Sequence, residues 1–373
     1  MDIRFNDTWR DLTEIIIYGL GMVGKKYFDM LNKDFAIKCI VDNHPDAPDF
    51  YRGVKVISLV ELSEVRKQEK IVVLASKEAF ASIKRDLDQK ELKEYEDYVR
   101  FDDFVKDWYW QVRNKYCIRE VHVATNTSCT FHCEKCNMFV PYYKNAVIYT
   151  FEEIKKSLDI FFPFVDFVFV FSYLGGEPFL NQDLKEIIRY TYENYHTRIG
   201  RIEIVSNGSM IPDAMTLEAM KQYHVLVRIS DYTEHIPYQK KMNQLISILE
   251  EYGIAYSVEK SLTWVDFCFP CKEDGQKLQI KDVRAHMLCC SPAFHGLNDG
   301  KFYYCHVAWS AEKAGLTALE ENDCMNLADY EVNAGNKKAL IEYAGGNMKG
   351  SYVSLCEKCM GCGSDNPFVV PAG

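Results

Sequence analysis

The sequence is poor in positive charge. Its 44 lysines and arginines stand against 54 aspartates and glutamates, a formal net charge of −10 over 373 residues. Nucleic-acid modules work through a basic face that displaces counterions, so nucleic acid is not expected as a partner. Long apolar runs are missing too. The most apolar stretch, residues 160–174, is interrupted by Pro163 and Asp166 and falls short of the roughly 20 residues a spanning helix needs, so no membrane span is expected. Residues 1–10 mix acidic, basic and polar side chains without the apolar core of a secretory signal, and the expected compartment is the cytoplasm. Neither a short-period repeat nor a low-complexity tract is present.

Cysteine, by contrast, is abundant. Fourteen occur, and 48% of residues are hydrophobic, enough to supply cores for two or three domains. In a reducing compartment such thiols are metal ligands or catalytic groups rather than disulfides. Cys39 and Cys117 stand alone, Cys129, Cys133 and Cys136 form a tight triplet, and the remainder run from Cys268 to Cys362. That clustering points to two separate metal sites.

Hydrophobic periodicity divides the chain into an α/β architecture of three domains, 1–115, 116–262 and 263–373. In the first, an apolar strand, Glu14 to Tyr18, runs into the glycine-rich turn Gly19-Leu20-Gly21-Met22-Val23-Gly24 and a helix, Lys25 to Leu31. Strands follow at Ile37 to Val41 and Ile71 to Ala75, and the mixed charges from Lys84 to Arg100 read as a solvated helix face. Trp108-Tyr109-Trp110 is expected to pack a connecting helix on the next domain. From Val121 the pattern restarts as β/α units, with strands at 121–125, 165–173, 201–205, 225–229 and 254–258 and helices at 151–162, 183–195, 214–223 and 238–252. Such repetition implies a parallel sheet, with chemistry in the loops after the strands. Beyond Thr263 the alternation fades and cysteines become dense, as in a small domain organised by metal.

The loop Cys129-Thr130-Phe131-His132-Cys133-Glu134-Lys135-Cys136 closely follows a strand. Three thiolates on a four-iron, four-sulfur cluster leave one iron free to bind a small molecule's amino and carboxylate groups, while the cluster supplies a low-potential electron. The alternative is structural zinc, its fourth position closed by His132 or a distant cysteine. Further on, strand 165–173 runs into Gly175-Gly176-Glu177-Pro178, strand 201–205 into Ser206-Asn207-Gly208, and the next strand ends at Arg228-Ile229-Ser230-Asp231. Glycine lacks the β-carbon that would hold a ligand off the backbone. An ordinary turn and a structural ion pair at Arg228 are the plainer readings of these segments.

From about Val121 to Glu259 the chain resembles the radical S-adenosylmethionine superfamily, whose signature is the CxxxCxxC spacing. The resemblance implies a partial (β/α)6 barrel with a 4Fe-4S cluster on Cys129, Cys133 and Cys136. It also implies that S-adenosylmethionine is bound by Gly175, Gly176, Glu177, Pro178, Ser206, Asn207, Arg228 and Ser230, and that flavodoxin or ferredoxin serves as electron donor. One position departs: the family carries an aromatic residue before the third cysteine, against the adenine, where this sequence has Lys135. Phe131, Met138 and Phe139 are the other candidate platforms. Cys290, the run Gly300-Lys301-Phe302-Tyr303-Tyr304-Cys305, and Cys356-Glu357-Lys358-Cys359 resemble the twitch domain, the shortened relative of SPASM. That likeness implies one auxiliary 4Fe-4S cluster on Cys290, Cys305, Cys356 and Cys359; Cys289 and Cys362 compete for positions in it, and zinc is the alternative metal. Asn298-Asp299-Gly300 reads as a hairpin turn that brings Cys290 and Cys305 together. Cys268, Cys271 and Cys324 stay outside this assignment, as metal ligands, hydrogen-atom donors or bystanders.

Gly19, Gly21 and Gly24 after a strand, with Asp42 at the end of the next, give the context in which a glycine motif seats a nucleotide pyrophosphate. The segment from Ile15 to Leu62 resembles small Rossmann-like domains of sugar-modifying acetyltransferases; a docking domain is the alternative. Together these features imply radical chemistry on a small-molecule carbohydrate, a nucleotide sugar by preference, by oxidation or epimerisation. Peptide or protein maturation by the same superfamily and a non-catalytic metal-stabilised scaffold are the rival expectations. No individual catalytic residue emerges; Tyr142, Tyr143, Tyr232 and His235 are candidate pocket residues.

Overall fold

The computed structural model describes residues 4–270, 280, 282–290, 295–348, 352–363 and 366–373. They form two compact units, Met1–Cys117 and Ile118–Gly373.

The first unit is a six-stranded sheet made of β1 (Glu14–Tyr18), β2 (Ala36–Val41), β3 (Phe50–Tyr51), β4 (Val54–Ile57), β5 (Lys70–Val73) and β6 (Tyr98–Arg100), in the order β3-β4-β2-β1-β5-β6. All pairings are parallel except β3 with β4. The apolar runs of β1, β2 and β5 are buried on both faces, as parallel strands covered by helices must be. Two readings of the sequence change here. The charged stretch 84–100 is not one helix face: the helix Lys77–Gln89 ends within it, and Tyr98 and Val99 enter the core as β6. Trp108 and Tyr109 pack inward within this unit. Trp108 stacks on Phe104 with centroids 4.6 Å apart and donates its indole N–H to the Trp9 carbonyl at 3.1 Å, which satisfies the one polar atom its burial would strand.

The second unit carries β7 (Cys117–Asn126), β8 (Phe167–Gly175), β9 (Ile199–Ser206), β10 (Leu226–Asp231), β11 (Tyr256–Lys260), β12 (Thr263–Val265), β13 (His295–Asn298), β14 (Lys301–Tyr303), β15 (Cys324–Asn326) and β16 (Val369–Pro371). Eight of them form one sheet, β11-β10-β9-β8-β7-β13-β14-β15. Five β/α strands therefore lie in chain order, as in part of a barrel, with helices Phe151–Phe161, Leu184–Tyr195, Ala214–Gln222 and Gln239–Tyr252 between them. Local chemistry sets the helix ends. Thr150 and Glu153 close a reciprocal capping box at one start, and Gly253, at φ +69, terminates the last helix in the left-handed conformation.

A sixth parallel strand comes from the cysteine-rich region, where β13 pairs with the flank of β7. The Asn298 side chain fixes this seam, donating to the Ala124 carbonyl at 2.9 Å and accepting from the Ala124 N–H at 3.0 Å. β13 and β14 form the expected hairpin, with Asp299 (φ +56) and Gly300 (φ +70) both left-handed at its turn. β12 and β16 make a separate two-stranded antiparallel ribbon. Among the described residues no helix is long and apolar enough to cross a membrane.

Candidate metal and cofactor sites

The three-cysteine loop begins three residues beyond the end of β7, as its position in the sequence implied. Burial, together with the other two thiols, pushes Cys133 up to about 12. Burial likewise raises Cys129 and Cys136. Thiols held protonated in the metal-free protein release their protons when they become ligands.

The neighbouring strand ends are stitched to this loop. Gly176 N–H donates to the Asn126 carbonyl at 3.0 Å and Glu177 N–H to the Ser128 carbonyl at 2.7 Å. A β-carbon on Gly175 would lie 2.1 Å from the Asn126 carbonyl oxygen, and one on Gly176 would lie 1.9 Å from that of Ser128. Both glycines are thus required for backbone-to-backbone approach, a role the sequence did not suggest. Glu177 is fully buried. Its carboxylate accepts from Ser206 Oγ at 2.9 Å, Asn207 N at 2.9 Å and Phe179 N at 3.2 Å. Burial pushes this carboxyl up to about 7, against the pull of those hydrogen bonds. Asn207 extends the clasp, its Nδ2 donating to Thr130 Oγ1 at 3.0 Å and to Cys129 Sγ at 3.4 Å. A continuous path therefore runs from Glu177 through Asn207 to a cysteine of the loop. Buried Pro178 opens a 3-10 turn, Pro178–Leu180, beside it.

Arg228 and Ser230 lie differently. The Arg228 guanidinium stands 3.7 Å from buried Glu203 and 3.3 Å from Glu259, so it forms an ion-pair ladder across β9, β10 and β11. Ser230 is half-buried, and its carbonyl accepts from Tyr238. Of the candidate adenine platforms, Met138 and Phe139 are core residues; Phe131 is half-buried and meets Tyr238 edge-on at 4.9 Å. Each candidate pocket residue is engaged; Tyr142, 40% exposed, meets Phe139 edge-on at 6.4 Å. Tyr143 donates to Ser310, Tyr232 packs on Trp264, and a His235 ring nitrogen lies 2.9 Å from the Leu262 carbonyl.

The second group of cysteines surrounds one cavity of about 70 Å³, lined by Cys290, Cys305, Cys356, Cys359 and Cys362. The first four form the expected ligand set, and their charges act on one another. Burial raises Cys305 to about 12, with Cys290 adding, and lifts Cys356 well above the ordinary thiol value, with Cys305, Cys359 and Cys290 adding. Cys362 faces the same cavity, and its N–H points at Cys290 Sγ, 3.4 Å away. The Gly361 N–H points at Cys359 Sγ, 3.3 Å away. Amides aimed at sulfur are the contacts that tune an iron–sulfur cluster. Cys289 and Cys324 do not line the cavity, and Cys271 lies outside the described residues. Among the described residues no three histidine, cysteine or acidic side chains converge on one ion position. In a multi-iron cluster each cysteine holds a different iron, so the ligands stand round a volume, as these do.

In the first unit, Gly19 (φ +105) makes the tight turn and Gly24, in the first turn of the following helix, packs on it: a β-carbon on Gly24 would fall 2.0 Å from the Gly19 carbonyl oxygen. Gly21 has open space at its β-carbon and precedes the helix Met22–Asp34. Asp42 accepts from Leu20 N at 2.6 Å and His44 N at 2.8 Å, bracing the glycine turn. The sequence had marked Asp42 for a nucleotide, without this structural duty.

No family model matches the chain, and neither does any curated protein. Among solved structures, it is similar to Streptococcus suis SuiB bound to precursor peptide SuiA: 16% identity, TM-score 0.32, covering 41% of this chain and 35% of SuiB. It is also similar to anSMEcpe with bound AdoMet, at 17% identity and TM-score 0.31, covering 38% of this chain and 44% of that one. BtrN in complex with AdoMet and 2-DOIA matches at 14% identity and TM-score 0.42 over 65% of this chain and 87% of BtrN. The chain spans less than half the length of SuiB and of anSMEcpe.

Proposed function

We propose that this protein is a radical S-adenosylmethionine enzyme acting on a carbohydrate, by preference a nucleotide sugar, and oxidising or epimerising a hydroxyl-bearing carbon. The observation that carries the reading is the clasp at the strand ends: three thiols on one loop, tied through Asn207 and Glu177 to the two neighbouring strand termini. Cys129, Cys133 and Cys136 would hold the first cluster, and Cys290, Cys305, Cys356 and Cys359 the second. The first cluster would supply the low-potential electron for reductive cleavage of bound S-adenosylmethionine, the chemistry that would let the enzyme take a hydrogen atom from its substrate. The residues of the chain orient and enclose. Glu177 and Asn207 keep the cysteine loop in register with β8 and β9, and the surrounding strand ends keep water from the reacting carbon. Gly19, Gly21, Gly24 and Asp42 are proposed to seat a nucleotide in the first unit. A flavodoxin or ferredoxin would serve as electron donor, and the cytoplasm as compartment.

The test is anaerobic reconstitution with iron and sulfide, with iron counted in the wild type and in a Cys129/Cys133/Cys136 triple alanine variant. Deoxyadenosine is assayed in both proteins with nucleotide sugars or peptides present. Two clusters falling to one, with loss of deoxyadenosine and altered sugar in the wild type alone, is the expected result. Zinc without iron, or cleavage untouched by the triple substitution, would sink the radical reading; turnover of peptides alone would replace the substrate class.

A further inference from the structure

Lys135, which stands where the resemblance calls for an aromatic residue, has a definite partner. Its ammonium lies 2.8 Å from Asp266 Oδ2, and the aspartate side chain is only 14% exposed. Asp266 lies two residues before Cys268, at the end of the chain segment that joins the two groups of cysteines. Its other carboxylate oxygen accepts from Cys268 N at 2.8 Å, and its carbonyl accepts from Asn366 Nδ2 at 2.9 Å. Asn366 Nδ2 also reaches the Gly361 carbonyl at 2.7 Å, and Met360 N–H donates to the Phe267 carbonyl at 2.9 Å. Met360 and Gly361 lie between Cys359 and Cys362, as Lys135 lies between Cys133 and Cys136. Two side chains complete the bridge. Phe269 meets Phe139 edge-on at 5.5 Å, and Asn137, the residue after Cys136, lines the cavity of the second cysteine group together with Phe267.

We infer that Asp266 is a positioning residue that locks the two cysteine loops to each other through Lys135, so that order in either loop is transmitted to the other. The ion pair exchanges an aromatic platform for a tether. An ammonium on a four-carbon stem forms an ion pair with a carboxylate, which a neutral aromatic side chain cannot. The role given to the cysteines rests on the iron–sulfur reading, but the mechanical link does not, and the two are separable.

The first readout is amide hydrogen exchange in the metal-free protein, over residues 133–139 and 356–362, with β8 as internal reference. Lys135→Met keeps most of the aliphatic stem and removes the charge; Asp266→Asn keeps an acceptor for Cys268 N–H and removes the charge. Each is expected to quicken exchange about tenfold in both loops and leave β8 unchanged, a factor at the low end for a hydrogen bond to a charged group because Lys135 is partly solvated. Lys135→Arg, which retains the cation, should restore both loops. Loosening confined to 133–139, or equal loosening in the Arg variant, would overturn the inference. The second readout is iron bound after reconstitution of Lys135→Met on the Cys129/Cys133/Cys136 alanine background. Iron at the second site should fall severalfold although none of its thiols has changed, whereas unchanged iron there would refute the coupling. A wild-type chain that takes up no iron would instead reject the iron–sulfur reading and leave the exchange result standing.

Discussion

Glu177 offers a test that needs no cofactor. Its carboxyl, fully buried between β8 and β9, is pushed from an ordinary value of 4.5 up to about 7. The folded protein therefore holds a proton that the unfolded chain has released throughout that window. Stability contributed by the protonated form is complete below the unfolded value, declines as pH rises, and is gone once pH passes the folded value. The interval is about 2.5 units, and at 1.36 kcal/mol per unit the loss amounts to about 3 kcal/mol. Glu177→Gln removes the titration and keeps the shape. Its oxygen can still accept from Ser206 Oγ and Phe179 N–H, while its NH2 faces the Asn207 N–H, a mismatch costing about 1–3 kcal/mol at every pH. Urea unfolding of the two metal-free proteins at pH 5 and pH 8 isolates the effect, because titrations common to both cancel. The variant should be the less stable protein at pH 5 and should gain about 2.5 kcal/mol relative to wild type by pH 8, the remainder of the loss having occurred below pH 5. Stability curves that run parallel between those pH values would show that the hydrogen bonds hold the carboxyl at its ordinary value, and the buried-acid account would be wrong.

Two further substitutions separate backbone constraint from ligand contact. Gly175→Ala and Gly176→Ala drive a β-carbon to within 2.1 and 1.9 Å of backbone oxygen, and each should cost about 3 kcal/mol or more in thermal or urea unfolding of the metal-free protein. Gly21→Ala, with open space around it, should stay within about 1 kcal/mol; the opposite ranking would refute the packing role assigned to the first pair. Asn298→Ala strands the buried N–H and carbonyl of Ala124 and should destabilise the second unit by about 2–4 kcal/mol, with amide exchange rising first along β7 and β13. Unaltered exchange there would mean that the seam is held by strand pairing alone.

Much of the fold was legible because periodicity is a local signal. The β/α strands and helices after the first strand were expected within about two residues of where they lie, whereas the first, expected to start at Val121, begins four residues earlier at Cys117; the Asn-Asp-Gly turn marked its hairpin. Tyr98–Arg100 escaped notice because a three-residue strand inside a charged stretch has no period to detect, and only the burial of Tyr98 against β5 places it. That β13 would add to β7 rather than stand apart with its cysteines depends on a pairing between distant segments, which no local pattern encodes. The cysteine spacings and the glycine motif were legible as candidate sites, but the close backbone packing that Gly175 and Gly176 permit against Asn126 and Ser128 was not, because it joins segments nearly fifty residues apart. Arg228 had an ion pair as its plainer reading, and that is how it sits. Lys135 was visible only as a departure, since its partner Asp266 lies 131 positions away (266 − 135).

The seam between β7 and β13 also bears on the order of synthesis. Asn298 closes it on Ala124 across 174 residues, and at about 5–20 residues per second a ribosome needs roughly 9 to 35 s to make that length. During this interval the flank of β7 is an open strand edge, apolar and ready to pair with another chain. The same strand leads into the three-cysteine loop. A nascent chain must therefore keep that edge unpaired until β13 emerges, which makes low expression levels, with few neighbouring chains offering a strand to pair with, the condition under which the protein should accumulate folded.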